Sequence, residues 1–164
     1  MQTFLPYTSY KESAKCLDRM RLGKQRVEAL QLLNTFKSDY SKKGWLNHPA
    51  RKMWQNNVLS LAAYGVIVCN EWISRGYKDT CKQKIIDTVS DIFERSFSES
   101  EIIKFGLSDC PKWLNESFTE SHRSNLLRKN KEWYSQFNWK VSNNLSIFGR
   151  LCNPMVEVAD SKSV

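Results

Sequence analysis

Apolar residues recur at helical spacing through most of the chain. The clearest run is Trp54, Val58, Leu61, Gly65, Val68 and Trp72, a single stripe that predicts a core helix. Gly65 on that stripe permits close approach of another helix, and Gly76 marks its C-terminal stop. Pro49 fits the first turn of this second helix, with Asn47 or His48 as its cap. Upstream, a short extended arm passes through Pro6. Thr8 or Ser9 then caps a first helix that runs to about Phe36, weakened in its middle by Gly23. A third helix opens at Asp79 or Thr80, with Ile85, Val89, Ile92 and Phe93 on one side. The Ser96 to Ser108 region holds a short helix, and the chain turns near Pro111. A basic helix starts near Thr119 or Ser121 and carries Leu126, Leu127 and Trp133. No period-two run is present. The expected class is therefore all-α: one compact domain over residues 1–164 with four to five helices, an extended N-terminal arm, and residues 140–164 unplaced.

Projecting the first helix from Arg21 at about 100° per residue sorts its chemistry. Leu22, Ala29, Leu30, Leu33 and Phe36 share one side; Arg21, Lys24, Glu28 and Gln31 share the other. Arg26 falls within the apolar arc, where a guanidinium needs a partner or a cavity because an unpaired buried charge is costly. It either pairs with a carboxylate for structure or serves a site. Glu28 stands one turn from Lys24 and is open to an i,i+4 ion pair. The alternative is a carboxylate placed beside bound DNA, where an acid weakens binding and so needs a chemical purpose.

Charge narrows the partner. The formal net charge is +8, and it is segregated. From Ile85 to Glu120 there are eight acids and three bases, whereas the other residues carry 22 bases and 9 acids. A basic face against an acidic back suits a polyanion, most commonly nucleic acid. The five cysteines are odd in number and widely spaced, which argues for reduced thiols in a cytoplasmic protein. The two histidines, His48 and His122, have no matching cysteine cluster, so no metal site is expected. No signal peptide or membrane-spanning run is expected either. The segment from Ser121 to Asn130 holds His122, Arg123, Asn125, Arg128 and Lys129, followed by Trp133, Tyr134, Phe137 and Trp139. Cations interleaved with aromatics suit phosphate contacts and stacking, although at least two of the four aromatics should complete the core.

Several blocks then carry a family resemblance. They are Met1 to Tyr7; Leu17-Asp18 with Arg21 to Ala29; Gly44 to Ala50 with Met53-Trp54; Cys69 to Trp72 with Arg75-Gly76-Tyr77; and Ser121 to Lys129. In order along the chain, they resemble a longer-chain branch of the pyrimidine-dimer DNA glycosylases of the phage endonuclease V type. The resemblance implies an all-α enzyme on UV-damaged duplex DNA that needs no metal; no cofactor is expected, and the chain is expected to act as a monomer. It also implies that the N-terminal α-amine attacks the sugar of the dimer's 5′ pyrimidine, that the resulting imine permits β-elimination, and that a glutamate assists while arginines hold phosphates. Met1, Glu28 and Arg26 are accordingly the expected catalytic residues. Arg21, Lys24, His48, His122, Arg123, Asn125, Arg128 and Lys129 are the expected DNA contacts.

Two departures from the family pattern bear on the chemistry. Gln2 follows the initiator methionine, which would leave Met1 in place as the nucleophile. Aligning the first helices through Leu17 and Arg26-Val27 sets Gly23 where the small phage enzyme has its glutamate. Glu28 is the substitute, with Asp18 and Glu71 as alternative acids. The expected substrate is a UV pyrimidine dimer or another altered pyrimidine in duplex DNA, and the competing class is a helical DNA-binding module that has lost the chemistry.

Overall fold

The computed structural model describes residues 2–142 and 144–145. Among these residues there are nine helices and no strand, so the all-α class holds. The helices are α1 (Tyr10–Cys16), α2 (Arg19–Asn34), α3 (Lys43–Leu46), α4 (Pro49–Trp54), α5 (Val58–Ser74), α6 (Lys82–Ile92), α7 (Glu99–Ser108), α8 (Glu116–Lys129) and α9 (Lys131–Tyr134). The number exceeds four to five because three expected helices are each broken in two, the basic one at Asn130, which puts Trp133 on α9, and because the short α3 adds another.

The first break falls at Leu17-Asp18, both extended. Asp18 caps α2, its side chain accepting from the Arg21 amide at 2.9 Å. Arg75 closes α1 from a distance, donating to the carbonyls of Leu17 and Lys15 at 2.8 Å. Neither partner of the break is glycine or proline, so local signals hide it. The second break separates α4 from α5 at residues 55–57. There the Asn57 side chain donates its Nδ2 to the backbone carbonyl and the carboxylate of Asp109 at 3.0 and 3.1 Å. His48 caps α4 and Pro49 opens it, as expected. Gly76, at φ +86, ends the turn after α5 as expected.

The centre of the molecule is α5, which packs against α1, α2, α6 and α7. Residues Ser60 through Val66 are buried without interruption, the pattern of a helix enclosed on all sides. Trp54, Leu61 and Val68 are fully buried, as the stripe requires, while Val58 and Trp72 pack at the core's edge. Close approach depends on two glycines. A Cβ at Gly65 would lie 2.9 Å from Ile85 Cδ1 of α6, and one at Gly106 would lie 2.5 Å from the Leu59 carbonyl oxygen and 2.4 Å from Ala63 Cβ. Backbone cannot yield as a side-chain tip does, so Gly106 sets the α5–α7 spacing more rigidly than Gly65 sets the α5–α6 spacing. No described helix is long and apolar enough to cross a membrane.

Gly106→Ala should therefore lower stability by about 1–3 kcal/mol, the usual cost of overpacking a dense core. Gly44→Ala, with nothing within 4 Å of the new methyl group, is the control. Chemical denaturation should leave the control's midpoint unchanged or slightly raised. Equal midpoints for the two variants would contradict the packing.

Candidate active site

The N-terminal arm is the unusual element. Thr3, Phe4, Leu5 and Pro6 are all buried, although the segment has no regular structure to satisfy its backbone. Burying peptide groups demands partners, and side chains from three helices supply them. Gln25 of α2 accepts from the Phe4 amide at 2.8 Å and donates to the Gln2 carbonyl at 2.8 Å, the pair of hydrogen bonds a neighbouring strand would make. Tyr64 of α5 sets its hydroxyl 3.0 Å from the Phe4 carbonyl and 2.5 Å from Gln25 Oε1. His122 of α8 accepts from the Leu5 amide at 3.0 Å. Arg123 donates to the Pro6 carbonyl at 2.7 Å and lies over the Tyr7 ring. Trp54 Nε1 donates to Thr3 Oγ1 at 3.1 Å.

This clamp sets the arm's first described residue beside Glu28. The Gln2 amide donates to Glu28 Oε2 at 3.2 Å, and Gln25 Nε2 donates to the same oxygen at 3.0 Å. An open groove of roughly 300 Å³ runs here, lined by Gln2, Phe4, Met20, Arg21, Lys24, Gln25, Glu28 and Lys129. Three of those residues are cations and one is an acid, and the acidic segment 85–120 contributes nothing to the lining. Lys24 and Lys129 are exposed at its rim. Arg21 is paired with Asp18. Met1 lies outside the described residues.

Of the expected site residues, the groove gathers Glu28, Arg21, Lys24 and Lys129. The others lie elsewhere. His122 is 1% exposed and presents nothing to a ligand; its ring is spent on the Leu5 amide. Arg123 is committed to Pro6 and to Glu116, at 2.7 Å each. Arg128 bonds to Ser124 and to the Leu145 carbonyl. Asn125 is half-buried on α8. His48 accepts from the Ala50 amide and stacks on Trp45. Arg26 points away from Glu28, as their separation of two residues dictates. It pairs with Asp79 and lies 4.3 Å from the Trp72 ring centre. The alternative acids are also engaged: Asp18 with Arg21 and Asn130, and Glu71 with Arg75. Burial opposes ionisation of Asp79, but the Lys82 amide and Arg26 hold its carboxyl below the ordinary carboxylate value.

Gln25 and Tyr64 were not anticipated as site residues. The signal was present: Gln25 falls with Leu22 and Ala29 on the apolar side of α2, where a buried amide needs partners.

Two predictions follow from these placements. Arg26→Leu leaves the Asp79 carboxylate buried without its cation and should cost about 3 kcal/mol in chemical denaturation. Adding Asp79→Asn, which keeps an oxygen for the Lys82 amide, should recover part of that loss; no recovery would contradict a structural ion pair. His122 gives a pH signature. Burial depresses its pKa from 6.5 to about 3, so the unfolded chain takes up a proton that the folded protein refuses. The stability it contributes is complete above pH 6.5 and drains away as pH falls toward 3, at about 1.4 kcal/mol per unit. His122→Gln, a non-titrating acceptor, should flatten the fall in stability between about pH 6.5 and about 4.5. An unchanged slope would show that the ring is not held neutral.

The family model for pyrimidine dimer DNA glycosylases matches residues 1–85. That span holds the arm, α2 and α5, and with them every residue lining the groove except Lys129. No curated protein and no solved structure shows a significant match to the chain. The matched half thus contains the arm, the Gln25 and Tyr64 that hold it, and the Glu28 carboxylate beside it, and the chain belongs to the pyrimidine dimer DNA glycosylase family.

Proposed function

We propose that this protein is a DNA glycosylase with associated lyase activity, acting on pyrimidine dimers in duplex DNA through a free N-terminal amine. The observation that carries the reading is the 3.2 Å hydrogen bond from the Gln2 amide to Glu28 Oε2. Only one Cα and one carbonyl carbon separate that nitrogen from the α-amine of residue 1. An α-amine has a pKa of about 7.7–8.0, against about 10.4 for lysine. A useful fraction is therefore neutral and nucleophilic near pH 7 without special burial.

In this mechanism the neutral amine attacks C1′ of the 5′ deoxyribose of the dimer. The nitrogen–carbon bond forms as the glycosidic bond breaks, and the departing electron pair goes to the pyrimidine nitrogen, which gains a proton. Loss of the proton on the attacking nitrogen and opening of the sugar ring give an imine. Removal of a C2′ proton then expels the 3′ phosphate. Glu28 serves as the proton acceptor and stabilises positive charge as it develops. Lys24, Lys129 and Arg21 hold phosphates along the lip of the groove, which offsets the repulsion a carboxylate there exerts on DNA. Arg26, His122 and Arg123 act through the fold, not on substrate.

The expected result with UV-irradiated supercoiled plasmid is nicking that unirradiated plasmid does not show. Glu28→Gln should slow it by about 10²-fold or more, the usual scale of acid–base assistance, while DNA binding is kept or strengthened. Acetylating the N-terminus should abolish nicking and spare binding. Tight, salt-dependent binding with no nicking by the unmodified protein would replace this reading with a non-catalytic DNA-binding module.

A further inference from the structure

The groove beside Glu28 has a neighbour. A second groove of roughly 600 Å³ is lined by Asp18, Arg19, Gly23, Trp72, Asn130 and Trp133, and it shares Met20 and Arg21 with the first. These two residues form the ridge between the grooves. Met20 stands out on it: the residue is 75% exposed, whereas Leu107, the next most exposed large apolar residue among the described residues, reaches 48%. A single exposed apolar residue means little by itself. This one sits in the first turn of α2, between Arg19 and Arg21, on the lip that carries Lys24 and Lys129.

Its base is rigid. Asp18 accepts from the Arg21 amide, donates its own amide to the Tyr134 hydroxyl at 3.2 Å, and takes a bond from Asn130 at 3.3 Å. Arg19 lies over the Tyr77 ring at 5.2 Å. The structure therefore presents an unbranched, deformable thioether on a fixed helical turn, with cations on both sides to engage phosphates. Proteins that bend duplex DNA insert such apolar side chains between base steps.

We propose that Met20 is the wedge that parts the base stack next to the lesion when the protein engages duplex DNA. The inference rests on the DNA-binding reading above. It makes Met20 a positioning residue: the stacked duplex keeps C1′ from the amine, and the wedge opens the way.

The test uses a duplex with a central abasic site and 2-aminopurine as the adjacent base, whose fluorescence rises on unstacking. Wild-type protein at saturation should raise it. Met20→Ala, whose melting should match wild type because the side chain is mostly in water, should lose that rise. The ratio of strand cleavage on duplex to that on the same abasic strand alone should fall about tenfold in this variant, because a stack must be opened only in the duplex. Met20→Leu should restore both. An equal rise with Met20→Ala, or no rise with wild type, overturns the wedge. Wild-type cleavage of the single strand reads the chemistry alone. Its absence, together with a Met20-dependent rise, would sink the glycosylase reading and leave the wedge standing.

Discussion

The paired hydrogen bonds between Gln25 and the arm organise the rest of the site. An extended segment with no strand beside it cannot be buried unless its peptide groups find partners. Gln25 imitates the missing strand, accepting from Phe4 and donating to Gln2. The amide is itself held by Tyr64 from the central helix. Because the same Gln25 nitrogen also reaches Glu28, one side chain fixes the arm and the carboxylate against each other. The core around α5 is the rigid frame for this arrangement. The arm then leads out of it into a groove bearing cations.

This arrangement explains why much of the basic-aromatic block in the C-terminal half serves the fold. His122 and Arg123 grip the arm from the side opposite Gln25. Tyr134 is buried, and Trp139 stacks on it and donates to the Tyr7 hydroxyl. The matched half supplies the arm and Glu28, and the unmatched half holds the arm in place and adds Lys129 to the groove. The same logic separates Arg26 from Glu28. On α2 one side turns to the arm and the other to α6, and Arg26 binds Asp79, whose carboxylate accepts from the Cys81 and Lys82 amides at the start of α6.

The sequence made the helical class, the core stripe from Trp54 to Trp72, the His48–Pro49 start and the Gly76 stop readable, because each leaves a local mark. It also separated the polar side of α2, and so put Arg21, Lys24 and Glu28 on one surface. The interruptions at Asp18 and Asn57 were not readable, since they depend on Arg75, Tyr134 and Asp109, residues distant in the chain. Gly106 gave no warning for the same reason: its partner is the backbone of another helix. The basic-aromatic pattern and the family resemblance together set His122 and Arg123 among the expected DNA contacts; their bonds to the Leu5 amide and the Pro6 carbonyl of the buried arm left no local mark in the sequence.

The central claim is the proposal that the arm, held with its Gln2 amide on Glu28, carries the nucleophile as the α-amine of residue 1. The most direct measurement is borohydride reduction of the protein with abasic-site DNA, followed by mass mapping of the covalent product. The account predicts an adduct on the α-amine of the first residue, and loss of that adduct when Gln25→Leu releases the arm from Glu28. An adduct on Lys24 or Lys129, the lysines lining the same groove, would contradict it.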